Sequence, residues 1–191
     1  MLSVMGGAWS GRKLKALDKE DLRPTLGRVK AAIFSILESI EWKRSGQPDF
    51  SEWRCADLFA GVGSLGIEIL SRGAASCVFV EKNRQHAKIL RENLSSVGAE
   101  ALATVVLGGV EDGAWEKEGP FHLVLIDPPY KNSLLPELLA RLAAPGVLEP
   151  GGIVVFEHDP KFSQAPVPGL TLHSQRVLGP AGITVLLRDP V

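Results

Sequence analysis

Asp57-Leu58-Phe59-Ala60-Gly61-Val62-Gly63-Ser64-Leu65-Gly66 joins a short apolar run to a stretch of helical periodicity through three glycines. The run Cys55 to Phe59 reads as a buried strand, and Ser64 to Arg72 as a helix stopped by Gly73. The same alternation continues downstream. Strand Ser76 to Glu81, helix Arg84 to Val97 stopped by Gly98, and strand Ala103 to Leu107 complete one half of a doubly wound unit. An irregular segment from Gly108 to Pro120 follows, then strand His122 to Asp127, helix Leu134 to Ala144 and strand Ile153 to Glu157. Leu170 to Leu178 and Ile183 to Arg188, joined by Gly179-Pro180-Ala181-Gly182, read as an antiparallel pair added to the sheet. The fold class is α/β: a Rossmann-like, mostly parallel sheet with a C-terminal antiparallel hairpin.

Upstream, Leu2 to Met5 and Arg12 to Leu14 flank Gly6-Gly7-Ala8-Trp9-Ser10-Gly11, a short glycine-rich β-hairpin extension. Trp9 reads as stapling that hairpin to the domain in preference to stacking on a ligand. Arg28 to Ser39 carries Val29, Ala32, Ile33, Ile36 and Leu37 at helical spacing, with Thr25 as a cap, and residues 41 to 54 read as a linker. At 191 residues with 45% hydrophobic content, the chain suits one core. No run approaches the roughly 18 apolar residues of a membrane span, and the N-terminus lacks a signal-peptide layout, so a cytoplasmic protein without a membrane partner is expected. Cys55 and Cys77 have no partner at metal-ligand spacing; buried free thiols and no metal are expected. The net charge of -1 hides an asymmetry, because residues 1 to 30 hold seven bases and three acids, giving +4 and leaving -5 for the remainder. A basic segment on an acidic body can supply phosphate contacts. Arg12, Lys13, Lys15, Arg23 and Arg28 are the candidates.

The glycine loop poses a choice of cofactor. Gly61-x-Gly63-x-x-Gly66 with Glu81, twenty residues after Gly61, matches a dinucleotide fingerprint. Asp57 argues against it: a carboxylate four residues before Gly61 repels a pyrophosphate but can accept a hydrogen bond from an ammonium. S-adenosylmethionine has the ammonium and no phosphate. On this reading Asp57, Phe59, Gly61 and Gly63 cradle the cofactor, and Glu81, followed by Lys82, takes its ribose hydroxyls. Val110, in the segment over the third strand's end, lies where an adenine ring is held, while Glu111 and Asp112 read as solvated loop acids.

Asp127-Pro128-Pro129-Tyr130 closes the apolar run from His122. It sets a carboxylate, imide carbonyls without N–H neighbours, and an aromatic face at one strand end. A planar base bearing an amine needs all three, because the amine's lone pair is delocalised until donors and acceptors hold the nitrogen tetrahedral. Asp127 and the Pro128 carbonyl would accept the two N–H groups, and Tyr130 would stack on the base. A paired base cannot enter such a pocket, so the target is unpaired or flipped.

With these residues in place the chain resembles the RsmD family of bacterial methyltransferases, which make N2-methylguanine in 16S ribosomal RNA. The resemblance rests on Val4-Met5-Gly6-Gly7-Ala8-Trp9-Ser10-Gly11-Arg12-Lys13-Leu14, on Leu22-Arg23-Pro24-Thr25 with Arg28-Val29-Lys30 and Ala32-Ile33-Phe34, on the glycine loop leading to Ser71-Arg72-Gly73-Ala74, and on Asp127-Pro128-Pro129-Tyr130. It implies an S-adenosylmethionine-dependent methyltransferase fold and an enzyme acting on 16S ribosomal RNA within an assembling small subunit. On that basis residues 1–45 form an RNA-binding extension and residues 46–191 the methyltransferase domain. The residues also leave open an adenine-N6 DNA methyltransferase, disfavoured by the lack of a target-recognition region, a small-molecule methyltransferase, disfavoured by the basic hairpin, and a ribosome-assembly factor that holds cofactor without turnover.

Overall fold

A computed structural model describes residues 2–17, 24–128, 134–163 and 165–190, with residues 24–26 described by backbone alone. Seven strands form one sheet in the order β3-β2-β1-β4-β5-β7-β6. They are β1 (Arg54–Leu58), β2 (Ser76–Glu81), β3 (Ala103–Leu107), β4 (Phe121–Ile126), β5 (Leu148–His158), β6 (Leu170–Leu178) and β7 (Ala181–Arg188). The first five pair in parallel, and β7 inserts antiparallel between β5 and β6. Helices α1 (Pro24–Ser45), α2 (Ser64–Ser71), α3 (Arg84–Val97) and α4 (Leu135–Leu142) cover the faces.

Strand alternation sorts the core into two layers. Cys55, Cys77, Phe79, Leu123, Leu125, Ile153 and Val155 point to one face and pack with α1, α2 and α3. Ala56, Leu58, Val78, Val80, Val124, Ile126 and Phe156 point to the other and pack with α4 and with Val110 and Trp115. Both cysteines are buried free thiols. Among the described residues no helix is long and apolar enough to cross a membrane.

The central elements start and stop close to where periodicity and caps place them. Asn83 caps α3 by accepting from the Gln85 and His86 amides, and Gly98 closes it in the left-handed region. Three boundaries differ from the sequence reading. α1 continues to Ser45, so the expected linker begins only at Gly46 and Thr25 falls inside the helix. Ile40 is buried on its core face, and Lys43 and Arg44 in the last turn favour continuation by complementing the helix dipole. β5 starts at Leu148, five residues early, because Gly151 and Gly152 form a bulge where a break was expected; Phe121 pairs with Leu148 but Leu123 pairs with Ile153. The segment 108–120 contains two 3-10 turns, Val110–Asp112 and Ala114–Glu118, held by the buried Trp115, whose indole N–H donates to the Val110 carbonyl at 2.9 Å.

The N-terminal arm is a hairpin. Ser3 bridges Lys13 antiparallel, and the amides of Val4 and Leu14 donate to the carbonyls of Arg12 and Leu2. Leu2, Val4 and Leu14 enter the same core layer as α1 and α2, and Trp9 packs against it, the stapling role expected. A buried carboxylate fastens the arm. Glu68 on α2 accepts from the Met5 and Gly6 amides, each at 2.8 Å, and pairs with Lys30 of α1 at 3.1 Å and with Arg72 at 2.9 Å. Gly7, at φ +76°, lets the arm lie against α2, where a Cβ would stand 1.8 Å from the Ser71 carbonyl oxygen. Lys30 has its pKa lowered by burial, with the adjacent Glu68 opposing the shift. Glu68→Ala should cost about 3 to 5 kcal/mol in denaturant unfolding, because it leaves the buried Lys30 ammonium without its counter-charge and two partly buried amides without an acceptor; a loss under 1 kcal/mol would show that the network is dispensable.

Candidate active site

Register alone assembles a row of side chains at the carboxyl edge of the sheet. Leu58 pairs with Val80 on one side and with Ile126 on the other, so Glu81, Phe59 and Asp127 stand abreast on three neighbouring strand ends. Strands lie about 4.8 Å apart, which sets the Glu81 and Asp127 backbones roughly 10 Å from each other. The strand order reverses here: the chain runs from β1 outward to β3, then returns to β4 on the other side of β1. Ligands bind at such switch points. The Asp127 amide donates to the Leu58 carbonyl at 3.4 Å, continuing the β1–β4 pairing. The Asp127 side chain is partly exposed and Pro128 is buried. Tyr130 lies outside the described residues.

The loop between β1 and α2 is tight for local reasons. The Ala60 amide extends the β1–β2 ladder to the Val80 carbonyl at 2.9 Å, and the Gly63 amide turns back to the Ala60 carbonyl at 2.8 Å. Phe59 adopts φ 65°, a left-handed conformation rare outside glycine. Gly63 has φ +88° and faces Leu90, whose Cδ1 would be 2.3 Å from an added Cβ; Gly66 leaves room for Phe79, 2.2 Å from the corresponding position. The second and third glycines therefore serve packing of α2 and α3 against the sheet.

Both acids of the loop reading hold that loop from beneath. Asp57 is 1% exposed and its Oδ2 accepts from the Gly66 amide at 2.8 Å, in the first turn of α2. Burial pushes its carboxyl up to about 7, against the Gly66 hydrogen bond and with a further push from the Glu81 charge. The sequence reading turned this group towards an ammonium; in the fold one of its oxygens is taken by the first turn of α2. Glu81 accepts from the Gly61 amide through Oε2 at 2.8 Å and from the Asn83 amide through Oε1 at 2.6 Å. Lys82 beside it is exposed. Val110 is buried and its side chain packs among the core residues of the second layer, while Asp112 caps its own turn by accepting from the Gly109 amide at 2.9 Å. A recess lined by Val110, Glu111, Leu134, Leu138 and Arg141 opens beside it.

The candidate phosphate contacts divide. Lys15 is exposed but ion-paired with Glu92 at 2.7 Å, and Arg12 donates to the Ser96 carbonyl, both on α3. Lys13 and Arg28 are exposed. Arg23 lies outside the described residues. One positioning residue escaped the sequence reading. Asn93 of α3, 1% exposed, accepts from the Lys15 amide at 2.7 Å and donates to the Lys15 carbonyl at 3.0 Å and the Val62 carbonyl at 2.9 Å. It ties the arm to the glycine loop, and only its polar type inside an apolar helical face could have signalled it.

A family model described as "Conserved hypothetical protein 95" matches residues 2–186. The ribosomal RNA small subunit methyltransferase D of Escherichia coli K12 is 32% identical over 189 residues, covering 98% of this chain and 90% of that protein. The chain belongs to the RsmD family. Another relative of that name, from Haemophilus influenzae, is 33% identical over 159 residues, covering 81% of this chain and 77% of its own. Among solved structures, the Escherichia coli protein yhhF matches this RsmD-family chain with a TM-score of 0.84 at 31% identity, over 99% of this chain and 98% of its own. An RNA methyltransferase from Salinibacter ruber, solved with S-adenosyl-L-homocysteine, shares the fold at 15% identity and a TM-score of 0.60, over 87% of this chain and 92% of its own. The fold is the one shared with that S-adenosyl-L-homocysteine-bound methyltransferase, and the RsmD-family chain is a methyltransferase.

The raised Asp57 pKa makes the folded RsmD-family chain hold a proton that the unfolded chain releases near pH 4. The associated stability is present below about pH 4 and is lost as pH rises through about 7. In urea titrations without cofactor, wild type should lose on the order of a few kcal/mol relative to Asp57→Asn across that window. Parallel pH profiles for the two proteins would mean that Asp57 ionises normally.

Proposed function

We propose that this chain transfers the methyl group of S-adenosylmethionine to the exocyclic N2 amine of a guanine in 16S ribosomal RNA, presented within an assembling small subunit. The observation that carries the reading is the row Glu81, Phe59, Asp127 at the switch point of the sheet. It brings the cofactor-side acid and the amine-side acid to one edge. The names of the Escherichia coli and Haemophilus influenzae relatives favour small-subunit ribosomal RNA over DNA.

The residues present fit this cofactor better than a dinucleotide. Asp57 and Glu81 each accept from an amide at one end of the loop, so two carboxyl groups lie beneath it and give it a negative field when ionised. Such a field favours a sulfonium and an ammonium and opposes a pyrophosphate. Glu81 already accepts backbone amides at both oxygens, and each carboxylate oxygen keeps a further acceptor site for a ribose hydroxyl. Asp57 acts on the ammonium from below, while its bond to Gly66 keeps the loop in shape. The bound cofactor would supply an electrophilic methyl on sulfur; the chain's own groups handle the amine. Asp127 accepts one N–H and the Pro128 carbonyl the other, which draws the lone pair out of conjugation and holds it towards the cofactor side. As positive charge grows on nitrogen, Asp127 is placed to take the proton that must leave. Tyr130 stacks on the base. Orientation of this kind can contribute about 7 to 11 kcal/mol and a base–aromatic stack about 1 to 3 kcal/mol, so alignment by Asp127 is the larger effect. Residues 1–45 serve as the RNA-binding extension of a methyltransferase domain over residues 46–191.

Labelled-methyl transfer to small-subunit particles and to naked 16S RNA from cells lacking this gene tests the reading, with the product identified as a nucleoside. Label in N2-methylguanosine is expected; label in N6-methyladenosine would move the activity to a different base. Asp127→Ala should lower transfer by about a hundredfold or more while leaving S-adenosylhomocysteine binding within twofold. Tyr130→Ala should lose more activity than Tyr130→Phe, and equal losses would remove stacking from the mechanism.

A further inference from the structure

The segment Lys82-Asn83-Arg84-Gln85-His86-Ala87-Lys88-Ile89-Leu90-Arg91 contains four bases and no acid, in a chain whose acids outnumber its bases by one. The fold turns all four outward: Ala87, Leu90 and Leu94 face the core, and Lys82, Arg84, Lys88 and Arg91 are exposed. Arg84 to Lys88 and Lys88 to Arg91 are spaced four and three residues apart, which places them on one face of α3. That arrangement works against the helix. Like charges at these spacings repel, and α3 has a base and no acid in its first turn, where the helix dipole favours an acid. A surface helix selected for stability would interleave acids here. A local rule broken on an exposed face points to a partner.

The stripe also has a defined place. It starts at Lys82, next to Glu81 on the site edge, and runs about 10 Å along α3 from Arg84 to Arg91. There it meets the N-terminal arm, where Glu92, the first acid after the stripe, pairs with Lys15 and also feels the charge of Lys88, and Arg12 reaches the Ser96 carbonyl. The arm therefore lies against the end of the stripe, with the Lys15–Glu92 pair between them and the Arg12 guanidinium beyond it.

We propose that the exposed face of α3 is a phosphate track, binding the RNA backbone flanking the target nucleotide and leading it from the arm to the site edge. This rests on the RNA reading of the site given above. Its contacts are to backbone and carry no sequence information, so they hold the RNA in register while the pocket selects the base.

The test uses the full chain and fluorescently labelled small-subunit ribosomal RNA, with affinity measured across a salt series. In Arg84→Gln/Lys88→Gln/Arg91→Gln, the slope of log affinity against log salt should fall by about 2, from roughly 0.7 per phosphate contact. Its S-adenosylhomocysteine affinity should stay within twofold and its thermal midpoint should not fall, which separates a lost contact from a damaged fold. Lys117→Gln/Lys161→Gln/Arg176→Gln removes the same charge from exposed sites elsewhere and should leave the slope near that of wild type. An unchanged slope in the α3 variant, or equal decreases in both variants, overturns the track. An unchanged slope on RNA with weakened binding to small-subunit particles assigns the face to a protein partner and also overturns it. Steep, α3-dependent RNA binding by a wild-type protein that transfers no methyl to any RNA would sustain the track while removing the methylation reading.

Discussion

A carboxylate with no exposure to solvent must be met by donors from whatever lies around it, and Glu68 is met by three different elements. Two backbone amides come from the arm, an ammonium from α1 and a guanidinium from the end of α2 itself. Removing any one element would leave a buried charge short of partners, which is costly in a low-dielectric interior. The arm, α1 and α2 are thereby committed to one arrangement. Because α2 begins where the glycine loop ends, the loop inherits that arrangement. Lys30 makes the link direct, since its ammonium also reaches the Ser3 carbonyl at 2.7 Å and lies 3.4 Å from the hydroxyl of Ser64, the first residue of α2.

The loop is held from other directions too. Asn93 pins the Val62 carbonyl from α3, Glu81 pins the Gly61 amide from β2, and Asp57 pins the Gly66 amide from β1. Backbone groups that would otherwise be left unpaired in a tight turn become fixed points. A site whose work is alignment depends on such fixing, because small displacements of positioning groups cost large factors in rate. Asn93 engages both backbone groups of Lys15 as well, so the basic arm and the glycine loop share one support. Phe59, left-handed between two held strands, is kept there by the same framework.

Charge follows a comparable division. The body that supports the site edge is acidic at the loop, where Asp57 and Glu81 sit close together, and basic on the outer face of α3 beside it. The proposed reading gives the acidic side to a cationic cofactor and the basic side to an anionic polymer. With a net charge of only -1, the chain separates the two signs by placement and not by composition.

The sequence by itself determined the succession from β1 to β3 nearly to the residue, because strands, helices and their glycine stops are written in local periodicity and capping. It also determined the glycine loop, Glu81 and the acid at the end of β4, each of which is a short-range pattern. The length of α1 and the early start of β5 were hidden because the residues that look like breakers, Gly46 excepted, are tolerated by long-range packing and by a bulge. Only the tertiary structure decided that Glu68 would serve amides more than sixty residues away, that Asn93 would bridge Lys15 and Val62, and that Arg12 and Lys15 would be engaged by α3. It alone showed that the basic run of α3 forms an outward face ending against the arm. Periodicity along the chain says which face of an element is buried, but the partner across that face is fixed only when distant segments compete for the same buried donors and acceptors.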